Sequence, residues 1–221
     1  MATRTTGQPR RTPLSRERIL RAALSLADAG GIESLTMRGL AGQLQVEAMS
    51  LYNHVANKDD LLDGLLELVA SGIEEPDAGL DWRAATRRRA VSAHDALLRH
   101  PWASILWASR MNVGPARMRH LDGMLRGLHE AGFPPGVLDV GFHTLENHIV
   151  GHALQLSSFP FQAEDLPAMS ARYLEDFPTD VYPHLAAHIR YHLEETDGEA
   201  SAFEFGLDAI LDALERTRGG G

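Results

Sequence analysis

The chain has no cysteine, which excludes disulfide bonds and thiolate metal ligands. It also has no apolar run approaching the ~20 residues of a membrane-spanning helix. Alternation of apolar and polar residues over five or more positions is missing too, which disfavours half-buried strands. We therefore expect an all-α protein that is soluble, does not associate with membranes and resides in the cytoplasm.

Charge is unevenly distributed along the chain. The net charge of -9 opposes non-specific binding of nucleic acid by the whole molecule. Residues 1–60, however, carry eight basic and six acidic side chains, and the remainder carries thirteen and twenty-four. The basic excess predicts either a phosphate-binding arm at residues 1–14 or a solvated tail, ahead of an acidic body. It is sharpest where one acid, Glu17, accompanies six arginines: Arg4, Arg10, Arg11, Arg16, Arg18 and Arg21.

Apolar residues recur at spacings of three and four along most of the chain, which predicts helices. Capping residues and glycines set the expected ends of the first helices. The first begins at Ser15 and stops at Gly30-Gly31, Thr36 opens the second, the third covers about 48–54, and Asn57 caps the fourth.

An acidic Pro/Gly break at Glu74–Gly79 predicts a domain boundary. Residues 158–181 contain three prolines and several acids, which favours a loop with one short helical turn at most. The other expected helices after the break cover about 81–99, 101–110, 114–131, 135–157, 182–195 and 199–217.

The second and third helices, joined by a tight turn, predict a helix-turn-helix. At 100° per residue, Ala48, Leu51 and Val55 share one side of the third helix and can pack on the first two. The other side and its flank carry Met49, Ser50, Tyr52, Asn53 and His54. Such side chains suit base edges, thymine methyls and phosphates. A small packing module with a solvated third helix is the alternative.

The stretch "LTMRGLAGQLQVEAMSLYNHVANKDDLLDGLLELV" resembles the DNA-binding domain of the TetR family of transcriptional repressors. Its marks are the Leu-Tyr-x-His-Val core, the following Asn-Lys and the downstream Leu-Leu, within a match over roughly residues 15–70. "FEFGLDAILDALE" and "GFHTLENHIVGHAL" are similar to the two dimerising helices of the tetracycline-repressor branch. The resemblance implies a homodimer that binds palindromic double-stranded operator DNA, and a core that releases the DNA when a small molecule binds.

That resemblance also divides the chain. It implies a flexible basic arm at 1–14, a helix-turn-helix DNA-binding domain with its connecting helix at 15–75, and a larger helical ligand-binding and dimerisation domain at 80–218. Asn53 and Met49 depart from the tetracycline repressor, so the operator sequence should differ. The implied DNA contacts are Met37, Arg38, Ala48, Met49, Ser50, Tyr52, Asn53, His54 and Lys58.

The last helix has two stripes. Phe203, Leu207, Ile210 and Leu214 suit the core of the domain, whereas the adjacent small residues Ala202, Gly206, Ala209 and Ala213 let a second helix approach closely. A surface helix with incidental alanines is the alternative. The helix at 135–157 would complete a four-helix bundle between two copies, with Leu145, Ile149 and His152 as dimerisation residues.

Alignment with the tetracycline branch predicts the ligand pocket. It sets Trp107 at the histidine that binds the drug's magnesium, Arg89 at a drug-binding Asn, Ala93 at an aromatic residue and Met111 at an Arg. We therefore predict a more apolar pocket, and a hydrophobic or aromatic effector in place of tetracycline–magnesium. Trp102, Met118 and Phe142 would also line the pocket, with Arg89, Glu146 or His143 orienting the ligand.

Histidine pairs offer a competing interpretation. His184, His188 and His192 recur every four residues, as do His148 and His152, and such pairs can chelate a divalent metal. A solvated or partly buried histidine stripe explains the same pattern, so we expect no metal and no cofactor.

An enzyme is the remaining alternative. Ser157 or Ser158 with His152, or Glu146 with His143, could supply a nucleophile or an acid–base pair. No nucleophile elbow or Gly-rich phosphate loop accompanies them, so the sequence disfavours an enzyme. It does not identify the effector or the operator.

Overall fold

The computed structural model describes residues 13–76, 79–110, 114–158, 166–191 and 201–218. Within those ranges there are eleven α-helices and no strand, which confirms the all-α prediction. They are α1 Arg16–Ser34, α2 Met37–Leu44, α3 Ala48–Leu51, α4 Lys58–Ser71, α5 Trp82–Arg99, α6 Ala103–Ser109, α7 Pro115–Glu130, α8 Pro135–Ser158, α9 Leu166–Glu175, α10 Pro183–Tyr191 and α11 Ala202–Arg218.

Side-chain caps fix the start of four helices. Ser15, Thr36, Asn57 and Asp81 each accept a hydrogen bond from a backbone N–H in the first turn, at 2.9 to 3.2 Å. Each cap satisfies an N–H that has no partner within the helix and contributes about 1 kcal/mol. The predicted starts at Ser15, Thr36 and Asn57 are confirmed.

The regular part of α1 ends where the sequence predicts, at the Gly30-Gly31 pair. The chain turns at Gly31, whose φ of +74° only glycine adopts without strain, but helical hydrogen bonding resumes as far as Ser34. The hydroxyl of Ser34 donates to the carbonyl of Gly31 at 2.7 Å and so closes this last turn. The glycine pair therefore ends the continuous helix, and one short turn follows it within the span of α1.

The prediction of a loop over residues 158–181 is wrong for part of that range. The ten residues of α9 are helical, although a proline, Pro167, stands near its beginning. Proline is compatible with the first turn of a helix, because the N–H groups there lack partners within the helix. Pro167 therefore marks the start of a helix and does not indicate a loop.

The first three helices and the beginning of α4 form one small helical unit. Its centre consists of Ile19 from α1, Leu40 from α2, Leu51 from α3 and Leu61 from α4, all inaccessible to solvent. Burying side chains of this size contributes about 1.5–3 kcal/mol each, which holds the very short α3 in position.

Helices α5, α7, α8 and α11 form the body of the remainder. Leu97, Leu145 and Phe203, from α5, α8 and α11, are among its buried residues. Ion pairs on the surface complement this packing: Arg87 of α5 contacts Glu204 and Asp208 of α11 at 2.9 and 3.0 Å.

Helix α4 joins the N-terminal unit to the body. Its far side packs against α6 and α7, while its first residues pack against α1. A second connection runs through Asp28 of α1, whose carboxylate accepts from the indole N–H of Trp102 at 2.8 Å and lies 2.8 Å from the His100 ring nitrogen. Packing and hydrogen bonds therefore both connect the N-terminal unit to the body.

No helix in the part of the chain that the structure describes combines the length and apolar character needed to cross a membrane.

Candidate nucleic-acid interface and ligand pocket

The α2–α3 turn has the tight geometry that was expected. Gln45 adopts a left-handed conformation with φ of +56°, and the N–H of Val46 donates to the carbonyl of Ala41 at 3.0 Å. This pairing satisfies the last carbonyls of α2 and reverses the chain direction. It directs α3 away from the axis of α2.

Helix α3 is shorter than predicted. Regular α-helix covers Ala48–Leu51, and the predicted continuation to residue 54 is a tight turn. In that turn the N–H groups of Tyr52 and His54 donate to carbonyls three residues earlier, at 3.3 and 2.9 Å. Such bonds tighten the last turn of a helix, so the side chains beyond Leu51 are rotated relative to an ideal helix.

The two sides of the α3 segment differ in exposure as the sequence predicts. Leu51 and Val55 are buried, 0% and 1% exposed, whereas Met49 is 75% and Tyr52 45% exposed. Asn53 is also exposed. The polar groups of this face are therefore free of the core that holds the helix.

The other predicted DNA-contact residues surround that face. Arg38 and Lys58 are exposed, and Ser50 and His54 are half-buried. Met37 and Ala48 are half-buried as well and pack against the hydrophobic core, so only part of each side chain is accessible.

The arginines of α1 are bound to protein groups. Arg16 contacts Asp60 at 2.6 Å and donates to the carbonyl of His54 at 3.1 Å, while Arg21 pairs with Glu17. The guanidinium of Arg16 lowers the pKa of the Asp60 carboxyl. Arg16 therefore anchors α3 and α4 to α1, and a role in binding phosphate is disfavoured. Arg4, Arg10 and Arg11 lie outside the described residues.

Two predicted pocket residues, Trp107 and Glu146, lie at one buried polar cluster. Trp107 is 3% exposed, and its ring centroid lies 6.0 Å from that of His120. A ring nitrogen of His120 lies 3.1 Å from the Glu146 carboxylate, and the Arg117 guanidinium sits 4.6 Å above the indole of Trp107. Burial lowers the pKa of Arg117.

Several members of this cluster are not predicted from the sequence. His120 and Arg117 lie on one face of α7 at a spacing of three, and this spacing was the available signal. Glu67 of α4 was missed as well. One of its carboxylate oxygens accepts from the backbone N–H of Ala116 at 2.6 Å, at the start of α7.

Buried polar atoms without partners concentrate at these residues. Unpaired polar groups are costly inside a protein, and most are satisfied by the chain, by water or by a ligand. Trp107 and Arg117 offer N–H donors, Glu67 an acceptor, and Ser104 and His120 either. Among the residues that the structure describes, these atoms are Glu67 Oε2, Ser104 Oγ, Trp107 Nε1, Arg117 Nε and His120 Nδ1. The cluster is thus more polar than the predicted pocket.

Arg89 does not hydrogen-bond to this cluster, although its guanidinium lies against Gly123, three residues after His120 on α7. It lines a cavity of about 370 Å³ between α5 and α7, together with Met124 and Arg126. Ala93, one turn further along α5, is 1% exposed and fills the core. Met111 lies outside the described residues.

Four predicted pocket residues have other surroundings. Trp102 is buried but donates its indole N–H to Asp28, so it ties α1 to the body. Met118 is 52% exposed, and the His143 side chain is 65% exposed beside Asp139; both point to solvent, contrary to the prediction. Phe142 is half-buried, packing against the core and against the ring of His143.

Three histidines, His94, His148 and His152, converge at the junction of α5, α8 and α11. His94 Nε2 lies 2.9 Å from His152 Nδ1, and the His94 ring stacks on Phe203 with centroids 3.7 Å apart. Burial, and secondarily the neighbouring His152, lower the pKa of His94 to about 4. His152, which the sequence predicts to be a dimerisation residue, is therefore hydrogen-bonded within its own chain.

Metal and enzyme interpretations gain no support. No group of three or more potential ligands lies close enough to hold a metal ion within the described ranges. His192 lies outside those ranges. Ser157 donates to the carbonyl of Ala153 at 2.6 Å, an ordinary helical contact.

The predicted dimer residues divide into two groups. Leu145 and Ile149 are 0% and 1% exposed and belong to the core of the single chain, so they are unavailable to a second copy, contrary to the prediction. Ala202, Ala209 and Ala213 are exposed on α11, and Gly206 is half-buried against His148.

An apolar surface lies between α8 and α11. A depression of about 480 Å³ is lined there by Val140, Ile210 and Leu214 together with Ala209 and Ala213. Val140 is 65% exposed.

Comparison with known proteins identifies relatives of both halves. Residues 19–65 match the family described as "Bacterial regulatory proteins, tetR family", and residues 75–218 match "Tetracyclin repressor-like, C-terminal domain". The HTH-type transcriptional repressor DrrR1 of Streptomyces coeruleorubidus is 31% identical over 94% of this chain and 81% of its own.

Two further similarities concern ligands. The tetracycline repressor protein class G of Vibrio anguillarum is 30% identical over 94% of this chain and 96% of its own. The Streptomyces coelicolor TetR family protein ActR, in a crystal structure with actinorhodin, superimposes with a TM-score of 0.77 at 28% identity, covering 94% of this chain and 98% of that one. The first two of these three relatives are named as repressors, and the third as a TetR family protein.

Proposed function

Because the chain belongs to the TetR family of bacterial transcriptional regulators, we propose that it is a cytoplasmic repressor that binds palindromic operator DNA as a homodimer and leaves it when a small molecule binds. The observation that carries the proposal is the exposed polar face of α3 and of the turn that follows it, held by a buried opposite face. Residues 15–75 form its DNA-binding domain and residues 80–218 its ligand-binding and dimerisation domain, after a basic arm at 1–14.

The exposed face of α3 enters the major groove. Asn53 hydrogen-bonds base edges, Met49 contacts a thymine methyl, and Tyr52 reaches a phosphate. Arg38 and Lys58 supply positive charge on either side, while Ser50 and His54 contact the DNA with their accessible atoms. Met37 and Ala48 contact it only at the edge, because they also pack against the core.

Two copies associate through the apolar surface between α8 and α11. Alanines at 202, 209 and 213 allow close helix approach, and Val140 adds exposed apolar area. A two-fold pairing of this surface is self-complementary and gives the family's dimer. Two DNA-binding units then face two half-sites of a palindrome.

The effector binds near the polar cluster of Trp107, Arg117, His120 and Glu146. It is an aromatic or largely hydrophobic molecule, as is usual for such pockets. It also carries hydrogen-bonding groups, because five buried polar atoms there have no hydrogen-bond partner among the described residues. Trp107 takes the position of the tetracycline branch's metal-binding histidine. Tetracycline–magnesium is therefore not the effector, although relatives carry the name tetracycline repressor.

The signal passes through α4. The polar cluster includes Glu67 of α4, which is bonded to the start of α7, so a ligand that displaces α6 or α7 pulls on α4. Because α4 continues into the DNA-binding unit, its displacement changes the separation of the two units in the dimer.

The test is selection of DNA from a random double-stranded pool by the wild-type chain. We expect a palindromic consensus with half-sites about one or more helical turns apart. Arg16→Ala, which should loosen α3 without removing its exposed face, serves as a comparison for Asn53→Ala, which should change the consensus at one position per half-site. Recovery of no enriched sequence would contradict the proposal.

A further inference from the structure

Three consecutive arginines of α5 have different surroundings. Arg87 pairs with Glu204 and Asp208, and Arg88 contacts Glu74 at 3.1 Å. Arg89 is 5% exposed and, among the residues that the structure describes, neither hydrogen-bonds nor pairs with a carboxylate. Arg89 is therefore the one of the three that is both buried and without a directly contacting carboxylate in the described chain; the exposed Glu75 attracts it only at longer range.

The guanidinium of Arg89 lies against the backbone of α7. A Cβ atom at position 123 would come within 2.7 Å of its Cζ, so only a glycine there gives the group its present room. Burial lowers the pKa of Arg89. A guanidinium nevertheless stays protonated in proteins, and a buried charge without a partner costs several kcal/mol.

A cavity of about 370 Å³ opens beside this guanidinium. Its wall includes the largely buried Thr86 and Met124, and also Arg126, which adds a second positive charge. Glu130 also lines it and Glu75 is near, but both are exposed to solvent, and Glu75 approaches Arg119 at 3.9 Å. The cavity is too large for a bare inorganic ion and has room for a small organic molecule.

We infer that this cavity binds the carboxylate group of an organic anion, which pairs with the guanidinium of Arg89. The inference rests on the proposed function, because the anion is the charged part of the effector. A planar guanidinium binds a carboxylate through two parallel hydrogen bonds, and a buried location strengthens that pair. Thr86 adds a hydroxyl at the same wall.

The position also gives the anion a route to the regulatory helices. Gly123 lies three residues after His120 on α7, and both lie on the inner face of that helix. An anion that pulls Arg89 away from Gly123 therefore changes the packing of α7, whose first residues are bonded to α4 through Glu67.

Thermal unfolding with benzoate as the probe, and uncharged benzamide as its matched control, tests the inference. Sodium chloride holds the ionic strength constant. Benzoate at tens of millimolar should raise the unfolding midpoint of the wild type by about 3 °C, because it binds the folded chain. Benzamide should raise it by clearly less.

Three variants assign the effect. Arg89→Met should abolish the difference between benzoate and benzamide, and in chloride alone it should be as stable as the wild type or more stable, because the unpaired charge is gone. Arg89→Gln provides a second neutral side chain in case the first does not fold. Arg88→Met, on the neighbouring exposed position, should keep the full benzoate response.

Equal responses of the wild type to benzoate and benzamide, or an undiminished benzoate response in Arg89→Met or Arg89→Gln, would overturn the inference. The measurement contains no DNA, so it separates this inference from the proposed function. A wild-type chain that selects a palindromic DNA but ignores benzoate contradicts the anion site alone. A chain that responds to benzoate but selects no DNA contradicts the proposed repressor function alone.

Discussion

Nε of Arg110, the residue that follows α6, lies 2.6 Å from Oδ1 of Asp63 on α4. The same guanidinium contacts Asp59 at 3.1 Å, and together the two carboxylates raise the pKa of Arg110. Arg110 and Asp63 are about one-fifth exposed, so water weakens their attraction only in part. This ion pair fastens the end of α6 to the helix that leads into the DNA-binding unit.

We expect the Arg110–Asp63 pair to couple the two units energetically. In a double-mutant cycle of Arg110→Ala and Asp63→Ala, urea unfolding should give a coupling free energy of about 1 kcal/mol, the upper end of the range for exposed pairs. The Arg110→Lys substitution should keep part of this coupling free energy. A coupling of zero would mean that α4 is held by apolar packing alone.

The histidines beneath Phe203 predict acid sensitivity. The folded chain keeps His94 neutral, with a pKa of about 4, and burial lowers the pKa of His152 as well. In the unfolded chain the pKa returns to about 6.5, so between pH 6.5 and 4 the unfolded state binds more protons. The stability that the neutral His94 contributes is fully present above pH 6.5, and it is lost as the pH falls through this window.

Urea unfolding at several pH values measures this effect. Between pH 7.5 and pH 5 we expect the free energy of unfolding to fall by about 2 kcal/mol through His94. Asp95, His148 and His152 are the titratable groups around it, and only Asp95 opposes the shift. The His94→Phe variant keeps a ring on Phe203 and should lose most of the dependence of the unfolding free energy on pH. An unchanged pH dependence in this variant would mean that other groups cause it.

Arg38 and Lys58 are expected to bind phosphates. Each alanine substitution should weaken binding to every sequence alike and reduce the slope of log K against log salt concentration by about 0.9, the value for one phosphate contact. Fluorescence anisotropy at several salt concentrations measures the slope. Arg172→Ala, on the exposed part of α9, should leave it unchanged, and an equal reduction there would point to a general charge effect.

The apolar surface between α8 and α11 predicts a dimer that charge can disrupt. Ala213→Glu introduces a carboxylate into this surface, so the chain should sediment as a folded monomer and lose most of its operator affinity. Ala108→Glu, at an exposed alanine of α6, is the matched control and should remain dimeric. A dimeric Ala213→Glu protein would mean that the copies associate through another surface.

Much of the fold follows from local sequence signals. Caps such as Thr36 and Asn57 define helix starts, because a side-chain oxygen that satisfies a free N–H acts within three residues. The two faces of the α3 segment follow from periodicity alone: Leu51 is 0% exposed, whereas the neighbouring Tyr52 is 45% exposed.

The limits of the sequence are equally specific. An apolar stripe on α8 does not reveal whether it packs against the same chain or against a second copy. Leu145 is predicted to contact a second copy, but it lies in the core of its own chain. Trp102 resembles a pocket residue until its bond to the distant Asp28 is known. The polar cluster combines α4, α6, α7 and α8, and no local pattern brings Glu67 beside Ala116.

The central claim is that the exposed face of α3 reads the operator, and operator affinity at fixed salt tests it most directly. Fluorescence anisotropy on the selected DNA should give a loss of about 1–3 kcal/mol for Asn53→Ala, with relaxed preference at one base pair, and a uniform weakening for Tyr52→Ala. Both proteins must be folded and dimeric, as judged by circular dichroism and sedimentation. If both variants bind the selected DNA with wild-type affinity and preference, α3 is not the reading helix.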